Sequence, residues 1–370
     1  MQETKSLLLH NNKSGMTPKF HSLRISNVRR ETEDTVSIAF EVPENLKSDY
    51  YFLAGQYLTL KTTIEGEEVR RSYSLCSAPH ENEWRVAIKQ VEGGKFSTYA
   101  NTNIQSGQTM DVMTPAGNFC VTPDDDNNQT FVLFAAGSGI TPILSIAKTI
   151  LQQESKSSIH LFFGNKGFSS IIFREEIEAL KNNYMDRFRV VHILSRESLG
   201  NDIQKGRITS EKCDRLFQAF LKNEDIKGVY SCGPEEMILG VKESMMRNGV
   251  SKDAIHFELF GTSTAKKPTS EGSNTPVVDS NVTIILDGDS IDISLTSSGE
   301  SILDAAQKAG ADLPFACKGG VCCTCKAKII EGSASMDVNY ALEKDEVEAG
   351  YILTCQAHPT SEKLIVSFDE

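Results

Sequence analysis

The chain has 370 residues, of which 39% are hydrophobic and 24% are charged, a balance typical of globular rather than disordered proteins. This length exceeds one compact core and predicts two or three domains. No apolar run reaches the roughly 20 residues of a membrane span, and the start of the chain lacks the hydrophobic segment of a signal peptide. We therefore expect a cytoplasmic protein that does not bind membranes. The formal net charge of −12 argues against a nucleic-acid partner.

Acidic charge and cysteine both concentrate in the last quarter of the chain. Residues 280–370 contain six Lys or Arg and fifteen Asp or Glu, and so carry −9 of the net charge of −12. A solvated acidic surface explains this charge, and so does a docking face for a basic partner. Five of the nine cysteines lie in the same segment. In a reducing compartment such a cluster indicates metal binding or catalysis more often than disulfides.

Changes in sequence pattern along the chain predict three domains. Six short alternating runs are typical of an antiparallel β-barrel, and one helix at 95–103 follows the fifth of them. Apolar strands that alternate with helices then indicate a doubly wound α/β domain. A stretch rich in Ser, Thr, Lys and Pro precedes a last, mostly β domain. The expected boundaries are 1–18 for a flexible tail, 19–123 for the barrel, 124–261 for the α/β domain, 262–279 for a linker and 280–370 for the last domain.

Four cysteines in the last domain have the spacing C-x4-C-x2-C, followed after 29 intervening residues by a fourth cysteine: Cys317, Cys322, Cys325 and Cys355. This is the spacing of a plant-type [2Fe–2S] cluster. Such a loop directs backbone N–H groups at sulfur, and Gly319 and Gly320 are expected to supply the positive φ angles that it needs. A structural zinc is the alternative, although only one short C-x2-C hook is present. Cys323 is interpreted as a packed residue that could replace a damaged ligand.

Nearly all of residues 280–370 resembles plant-type ferredoxin domains, including the stretch GYILTCQAHPTSE around Cys355. The resemblance implies a β-grasp fold and transfer of single electrons. It does not identify a substrate.

Two motifs in the first domain resemble flavin-binding elements of the ferredoxin–NADP reductase superfamily. The first is R-x-Y-S, and the resemblance implies that Arg71 binds a flavin phosphate, Tyr73 packs against the isoalloxazine and Ser74 donates near flavin N5. The second is GGKFS at the start of a helix, where an N-terminus favours phosphate; its residues are Gly93, Gly94 and Ser97. A simple hairpin-to-helix turn explains the two glycines equally well. The segment GGKFSTYAN favours FAD over FMN.

Two motifs in the second domain resemble nucleotide-binding elements of the same superfamily. The first motif follows an apolar strand and contains Gly137, Gly139, Thr141 and Pro142. We expect the threonine to cap the next helix and the proline to be its first residue, so that the helix N-terminus faces a pyrophosphate. The second motif is C-G-P, with Cys232, Gly233 and Pro234. The resemblance puts its cysteine near the nicotinamide, whereas a buried strand-end thiol is the structural alternative.

The end of another strand bears on the choice between NADPH and NADH. Arginine at such a position accommodates the 2′-phosphate of NADPH, whereas an acidic residue favours NADH. Ser195, Arg196 and Arg207 therefore favour NADPH, although Glu197 leaves the choice open. At the end of the domain, the resemblance implies that Glu258 and Phe260 shield the flavin ring and tune access to N5.

The order of these motifs over residues 19–370 is similar to that in reductase components of bacterial multicomponent oxygenases, and the cysteine segments are most similar to reductases of the phenylacetyl-CoA epoxidase type. The resemblance implies an oxidoreductase of phenylacetate catabolism that passes electrons from NADPH through FAD and [2Fe–2S] to an oxygenase or hydroxylase component. Ser74, Cys232 and Glu258 would be its catalytic residues. A reductase serving another monooxygenase, dioxygenase, hydroxylase or desaturase is one alternative. A non-enzymatic, redox-responsive iron–sulfur interaction module is another.

Overall fold

The computed structural model describes residues 18–260 and 277–370. Phe20–Phe260 form one compact unit, and the described residues that follow form another. The expected tail at 1–18 and linker at 262–279 lie almost wholly outside the described residues. None of the helices in the described ranges is long and apolar enough to cross a membrane.

The larger unit begins with a curled antiparallel sheet of six strands and one helix. Its elements are β1 (Phe20–Thr32), β2 (Thr35–Glu41), β3 (Tyr57–Ile64), β4 (Glu67–Ser74), β5 (Trp84–Lys89), α1 (Lys95–Thr102) and β6 (Thr109–Met113). The strand order is β4-β3-β6-β1-β2-β5. Leu75, which follows β4, pairs with Val86 of β5 and so brings the two edges of the sheet together. The expected antiparallel barrel is confirmed.

The second half of the larger unit is a parallel α/β domain, as predicted. Its elements are β7 (Thr130–Ala136), α2 (Ile140–Gln153), β8 (Ser158–Asn165), α3 (Arg174–Asn183), β9 (Phe188–Leu194), α4 (Ser210–Leu216), β10 (Ile226–Cys232), α5 (Glu235–Arg247) and β11 (Ile255–Glu258). The strand order is β11-β10-β7-β8-β9, and all pairs are parallel. The order reverses between β7 and β10, and the crevice at the carboxyl ends of two such strands is where open α/β sheets bind ligands.

Helix α2 joins the barrel and the α/β domain through one hydrophobic core. Its buried residues Ile143 and Ile146 share this core with Ala54 and Cys76 of the barrel and with Leu133 of β7. Twelve of the fourteen residues of α2 are buried. A helix enclosed in this way has little freedom to shift relative to either neighbour.

The smaller unit has the mixed sheet of the expected β-grasp fold, together with two short helices. Its elements are β12 (Asp279–Leu286), β13 (Asp289–Thr296), α6 (Ile302–Lys308), β14 (Lys326–Glu331), β15 (Ala334–Met336), α7 (Lys344–Glu348), β16 (Tyr351–Leu353), β17 (Ala357–Pro359) and β18 (Lys363–Ser367). The main sheet has the order β13-β12-β18-β14-β16, with β12 and β18 parallel. The cysteine loop connects α6 to β14.

Candidate cofactor sites

The two nucleotide motifs meet where the strand order reverses, at the carboxyl ends of β7 and β10. Gly139 lies so close to the end of β10 that a Cβ added to it would be 2.1 Å from the carbonyl oxygen of Cys232. Only glycine fits there. Gly137 has a φ of +54°, and a Cβ there would meet open space. The loop between β7 and α2 therefore exposes backbone beside the C-G-P motif, as a phosphate group requires.

Helix α2 begins differently from the sequence expectation. Residues Gly137–Gly139 form a 3₁₀ turn that runs directly into α2 at Ile140, and Gly139 is its N-cap. Thr141 is therefore not the cap, and its hydroxyl donates back to the carbonyl oxygen of Ser138 at 3.0 Å. Pro142 is the third helical residue. The first four N–H groups of a helix have no partner within the helix, so proline costs no hydrogen bond at this position. The early start leaves the N-terminus of α2 without a side-chain cap.

Three residues predicted to be catalytic form one cluster at the same edge. The Ser74 hydroxyl, at the end of β4, donates a 3.0 Å hydrogen bond to Glu258 Oε2. Glu258 lies directly opposite Cys232 in the pairing of β11 with β10. Burial raises the pKa of Glu258 to about 8, and the hydrogen bond from Ser74 opposes that rise. Burial also raises the pKa of Cys232, and the nearby Glu258 carboxylate adds to this effect. Near neutral pH the cluster thus contains a neutral thiol and a carboxyl group that can take up or release a proton.

The R-x-Y-S motif lies along β4 and ends at this cluster. The Tyr73 ring packs against Phe96 of α1, with centroids 5.6 Å apart, and burial raises the pKa of Tyr73. Arg71 is exposed, and its guanidinium donates to the carbonyl oxygen of Arg70 at 2.7 Å. Its position on the surface leaves it accessible to a phosphate.

The GGKFS motif forms the turn that begins α1. Gly93 has a φ of +72° and Gly94 is the N-cap, with no side chain capping the helix. The Ser97 hydroxyl accepts from the N–H of Val91 at 3.1 Å and donates to the carbonyl oxygen of Gly94 at 3.2 Å. Ser97 therefore stabilises the turn, and the backbone N–H groups at the start of α1 are the groups that could bind phosphate.

The residues predicted to select the nucleotide lie beyond the end of β9. Ser195, Arg196 and Arg207 are all exposed. The Glu197 carboxylate accepts a 3.0 Å hydrogen bond from the N–H of Phe168 and packs so closely on Gly167 that a Cβ there would be 2.2 Å from Glu197 Oε1. Its carboxylate is thus bound to the loop after β8, while the arginines remain accessible.

Lys212, which the sequence pattern did not single out, organises the loop that precedes Arg207. Its ammonium group donates to the carbonyl oxygens of Asp202, Ile203 and Lys205 at 2.8, 3.2 and 2.9 Å. Burial lowers the pKa of Lys212. Its three hydrogen bonds hold the short 3₁₀ helix Asp202–Gln204 and the residue after it in place.

Asn165 is a second residue that sequence reasoning missed. It ends β8, only 8% of it is exposed, and neither Oδ1 nor Nδ2 has a hydrogen-bond partner among the described residues. Its carbonyl oxygen accepts from the N–H of Ser195, so it lies between the β7 loop and the β9 end. A buried amide without partners is costly, which makes a ligand contact the natural explanation. A single polar residue that ends the apolar strand IHLFFGN is the signal that could have found it.

The structure brings all four predicted cluster cysteines together. The sulfur atoms of Cys317 and Cys322 are 3.1 Å apart, and Cys355 contacts both Cys317 and Cys325. The hydrogen bond from Cys322 is the largest effect that lowers the pKa of Cys317, and the N–H of Gly319 also donates to this sulfur, at 3.3 Å. Among the described residues, no three His, Cys, Asp or Glu side chains are arranged around one metal ion. The support for a two-iron cluster is the spacing of these four cysteines along the chain.

One expectation about the cysteine loop is wrong. Gly320 has the expected positive φ, +71°, but Gly319 does not, and Lys318 has a φ of +50° in its place. Lys318 is stabilised in this conformation because its ammonium group donates to Asp304 Oδ1 at 2.8 Å and to Gln307 Oε1 at 2.6 Å on α6. Cys323 Sγ donates to the carbonyl oxygen of Ala341 at 3.3 Å.

Comparison with known proteins gives three domain families in the same chain. Residues 22–120 match the oxidoreductase FAD-binding domain, residues 133–243 the oxidoreductase NAD-binding domain and residues 284–360 the 2Fe-2S iron-sulfur cluster binding domain. The chain is 42% identical to one of the subunits of 1,2-phenylacetyl-CoA epoxidase from Escherichia coli (strain K12), over 95% of this chain and 98% of that protein. The chain therefore belongs to the family of oxygenase reductases that includes this epoxidase subunit.

A further relative and a solved structure are similar over more than nine tenths of their length. The ferredoxin reductase component of 3-ketosteroid-9-alpha-monooxygenase from Rhodococcus rhodochrous is 33% identical, over 94% of this chain and 96% of that protein. The solved structure of phthalate dioxygenase reductase has the same fold, with a TM-score of 0.57 and 23% identity over 94% of this chain and 98% of that one.

Membership of the oxygenase reductase family decides between several of the sequence alternatives. FAD rather than FMN, and a 2Fe–2S cluster rather than zinc, are the groups that the matched domains bind. The chain is an oxidoreductase rather than a non-enzymatic module. When bound, these groups supply two-electron exchange with a nicotinamide and one-electron transfer at the cluster. The open backbone at Gly137, the unpartnered Asn165 amide and the grouped thiols fit them. The roles of individual residues stay predictions, including that of Phe260, which is 45% exposed at the end of the unit.

Proposed function

We propose that this protein is the reductase component of a phenylacetyl-CoA epoxidase-type oxygenase and carries electrons from NADPH through FAD and [2Fe–2S] to the oxygenase component. The observation that carries the proposal is the 42% identity to a component of that epoxidase over 95% of the chain. The three matched domains are those that bind FAD, a nicotinamide nucleotide and a 2Fe–2S cluster, which are the groups that such a path needs.

The site residues have separate roles in this proposal. Arg71 and the N-termini of α1 and α2 bind phosphates. Ser74 donates to Glu258, and their pair holds a proton at the junction of barrel and sheet. Cys232 is fully buried, and its raised pKa keeps the thiol uncharged, so it provides an apolar surface beside this pair.

Two features support NADPH as the electron donor. Arg196 and Arg207 are exposed beyond the end of β9, and arginine after such a strand accommodates a 2′-phosphate. Glu197, the acidic residue that would favour NADH, already accepts a hydrogen bond from the loop after β8.

An anaerobic titration with NADPH tests the electron path. The visible absorption of the flavin and the broad absorption of the cluster should both bleach, and FAD should be released on denaturation. If the flavin bleaches while protein prepared without oxygen has no iron–sulfur absorption, the proposed path is wrong.

Reconstitution tests the partner. A purified phenylacetyl-CoA epoxidase oxygenase component should consume phenylacetyl-CoA when supplied with this protein and NADPH. The 33% identity to the ferredoxin reductase component of a 3-ketosteroid-9-alpha-monooxygenase favours one second candidate, a reductase for a monooxygenase of that type. Turnover of a ketosteroid oxygenase component, with none by the epoxidase component, would support that candidate instead.

A further inference from the structure

A buried ammonium group on α2 joins the flavin-binding barrel to the nucleotide-binding domain. Lys148 is only 8% exposed, and its Nζ lies 3.0 Å from Glu81 Oε2 and also forms an ion pair with Glu176. Glu81 belongs to the barrel, in the turn after β4, and Glu176 belongs to α3. Burial lowers the pKa of Lys148, but the two carboxylates outweigh this effect and raise it, so the side chain stays charged.

A second bond joins the same two segments one helical turn earlier. The fully buried Ser145 hydroxyl donates a 2.7 Å hydrogen bond to the carbonyl oxygen of Ser77. Glu81 Oε2, the atom that accepts from Lys148, also accepts from the N–H of Ala78 at 2.7 Å. The segment from Ser77 to Glu81 is therefore bonded to α2 at both of its ends.

These bonds connect the two ends of the candidate site. The barrel segment begins three residues after Ser74, the residue that contacts Glu258. Helix α2 begins next to Gly139, the residue that packs on the Cys232 carbonyl. Ser145 lies six residues beyond Gly139, about 9 Å along a helix that rises about 1.5 Å per residue. The buried helix α2 thus spans from the loop after β7 to the barrel segment Ser77–Glu81.

We propose that Lys148 and Ser145 are positioning residues that hold the flavin-binding barrel and the nucleotide-binding domain at one spacing. The inference rests on the proposed electron path, because that path requires the two bound groups to meet. Misplacement of reacting groups by about 1 Å costs on the order of 100-fold in rate. A contact that fixes two domains can therefore control the rate without touching either group.

The test variant removes the charges but keeps the side-chain sizes. Lys148→Met is combined with Glu81→Gln and Glu176→Gln, so that no carboxylate is left without its cation. Lys181→Met is the matched control, because Lys181 also pairs with a glutamate, Glu178, at 3.0 Å but is 45% exposed within the nucleotide-binding domain. Lys148→Arg, which keeps the charge, is the rescue variant.

The first readout needs no cofactor. Trp84 is the single tryptophan of the chain and lies in the barrel, so its fluorescence follows barrel unfolding in the FAD-free full chain. Hydrogen exchange in the peptide that spans 140–148 follows α2. In wild type, the control and Lys148→Arg, we expect the barrel and α2 to open at one denaturant concentration. In the triple variant we expect the barrel to open first and exchange at 77–81 to rise at least tenfold.

The second readout is flavin reduction in the FAD-loaded protein. We expect the triple variant to reduce FAD at least tenfold more slowly at saturating NADPH, with an unchanged KM for NADPH. Coincident opening, or separate opening with a wild-type reduction rate, would each overturn the inference. If NADPH fails to reduce FAD even in wild type, the proposed function falls, while the unfolding and exchange results still decide whether these residues fix the two domains.

Discussion

The Ser74 hydroxyl and the Glu258 carboxylate, 184 positions apart in the chain, form a 3.0 Å hydrogen bond. Ser74 ends a strand of the barrel and Glu258 ends the last strand of the α/β sheet. The bond therefore exists only when the two halves of the larger unit are assembled. Burial of Glu258 in the assembled unit raises its pKa, and the hydrogen bond from Ser74 opposes that rise.

Replacing Glu258 with Gln should change how stability depends on pH. The pKa of Glu258 is about 8 in the folded protein against an ordinary value of 4.5, so between these values the folded chain keeps a proton that the unfolded chain has lost. Stability should therefore fall as pH rises through this window. We expect Glu258→Gln to exceed wild type by about 1–3 kcal/mol in free energy of unfolding at pH 8.5, and by much less at pH 5.

Urea denaturation of the FAD-free protein at the two pH values measures this effect. Glu236→Gln, an exposed glutamate on α5, is the control and should show no such growth with pH. A Glu258→Gln difference that stays constant with pH would contradict the assigned protonation.

Asn165→Leu should have opposite effects on stability and nucleotide affinity. Removing a buried amide that has no partner among the described residues should raise the free energy of unfolding of the cofactor-free chain by about 1 kcal/mol. We expect the amide to contact the dinucleotide, so its removal should weaken NADP⁺ binding by about tenfold. Asn127→Leu is the matched control, since Asn127 is equally buried but donates to Glu154 Oε2 at 2.8 Å. This control should lower the free energy of unfolding. Isothermal titration calorimetry should show that its NADP⁺ binding is unchanged.

The double variant Arg196→Ala, Arg207→Ala should lose preference for NADPH. Each charge-assisted bond to a phosphate contributes about 1.5–3 kcal/mol, so kcat/KM for NADPH should fall by about 100-fold or more. Because NADH has no 2′-phosphate, its kcat/KM should not change. Steady-state reduction of an artificial acceptor measures both, with Arg215→Ala, an exposed arginine of α4, as control. An equal loss for the two nucleotides would show that the arginines do not read the 2′-phosphate.

We expect the variants Cys355→Ser and Cys323→Ser to show which of these two cysteines binds iron. Cys355 contacts two of the other three grouped thiols, so its loss should abolish iron binding and the cluster absorption. Cys323 donates to the carbonyl oxygen of Ala341, and its serine variant should retain two irons per chain and the wild-type spectrum. Iron analysis of anaerobically purified protein decides the outcome, and iron loss in Cys323→Ser would make Cys323 a ligand.

Local pattern in the sequence was enough to predict the three folds, because each depends on periodicity and spacing. Alternating runs predict the barrel strands, continuous apolar runs predict the parallel sheet, and the cysteine spacing predicts a [2Fe–2S] loop, whose sulfurs the fold brings together. The motif also singles out Gly139, but it does not indicate the carbonyl oxygen of Cys232, which leaves no room for a side chain there.

Tertiary structure alone decided the contacts between distant segments. No periodicity relates Ser74 to Glu258 or Lys148 to Glu81, since each pair depends on how the barrel packs against α2 and the sheet. The positive φ at Lys318 instead of Gly319 has the same cause, a distant partner on α6 that compensates for local strain. Short-range preference is encoded residue by residue, whereas burial, proton affinity and domain spacing arise only when separate segments exclude water together.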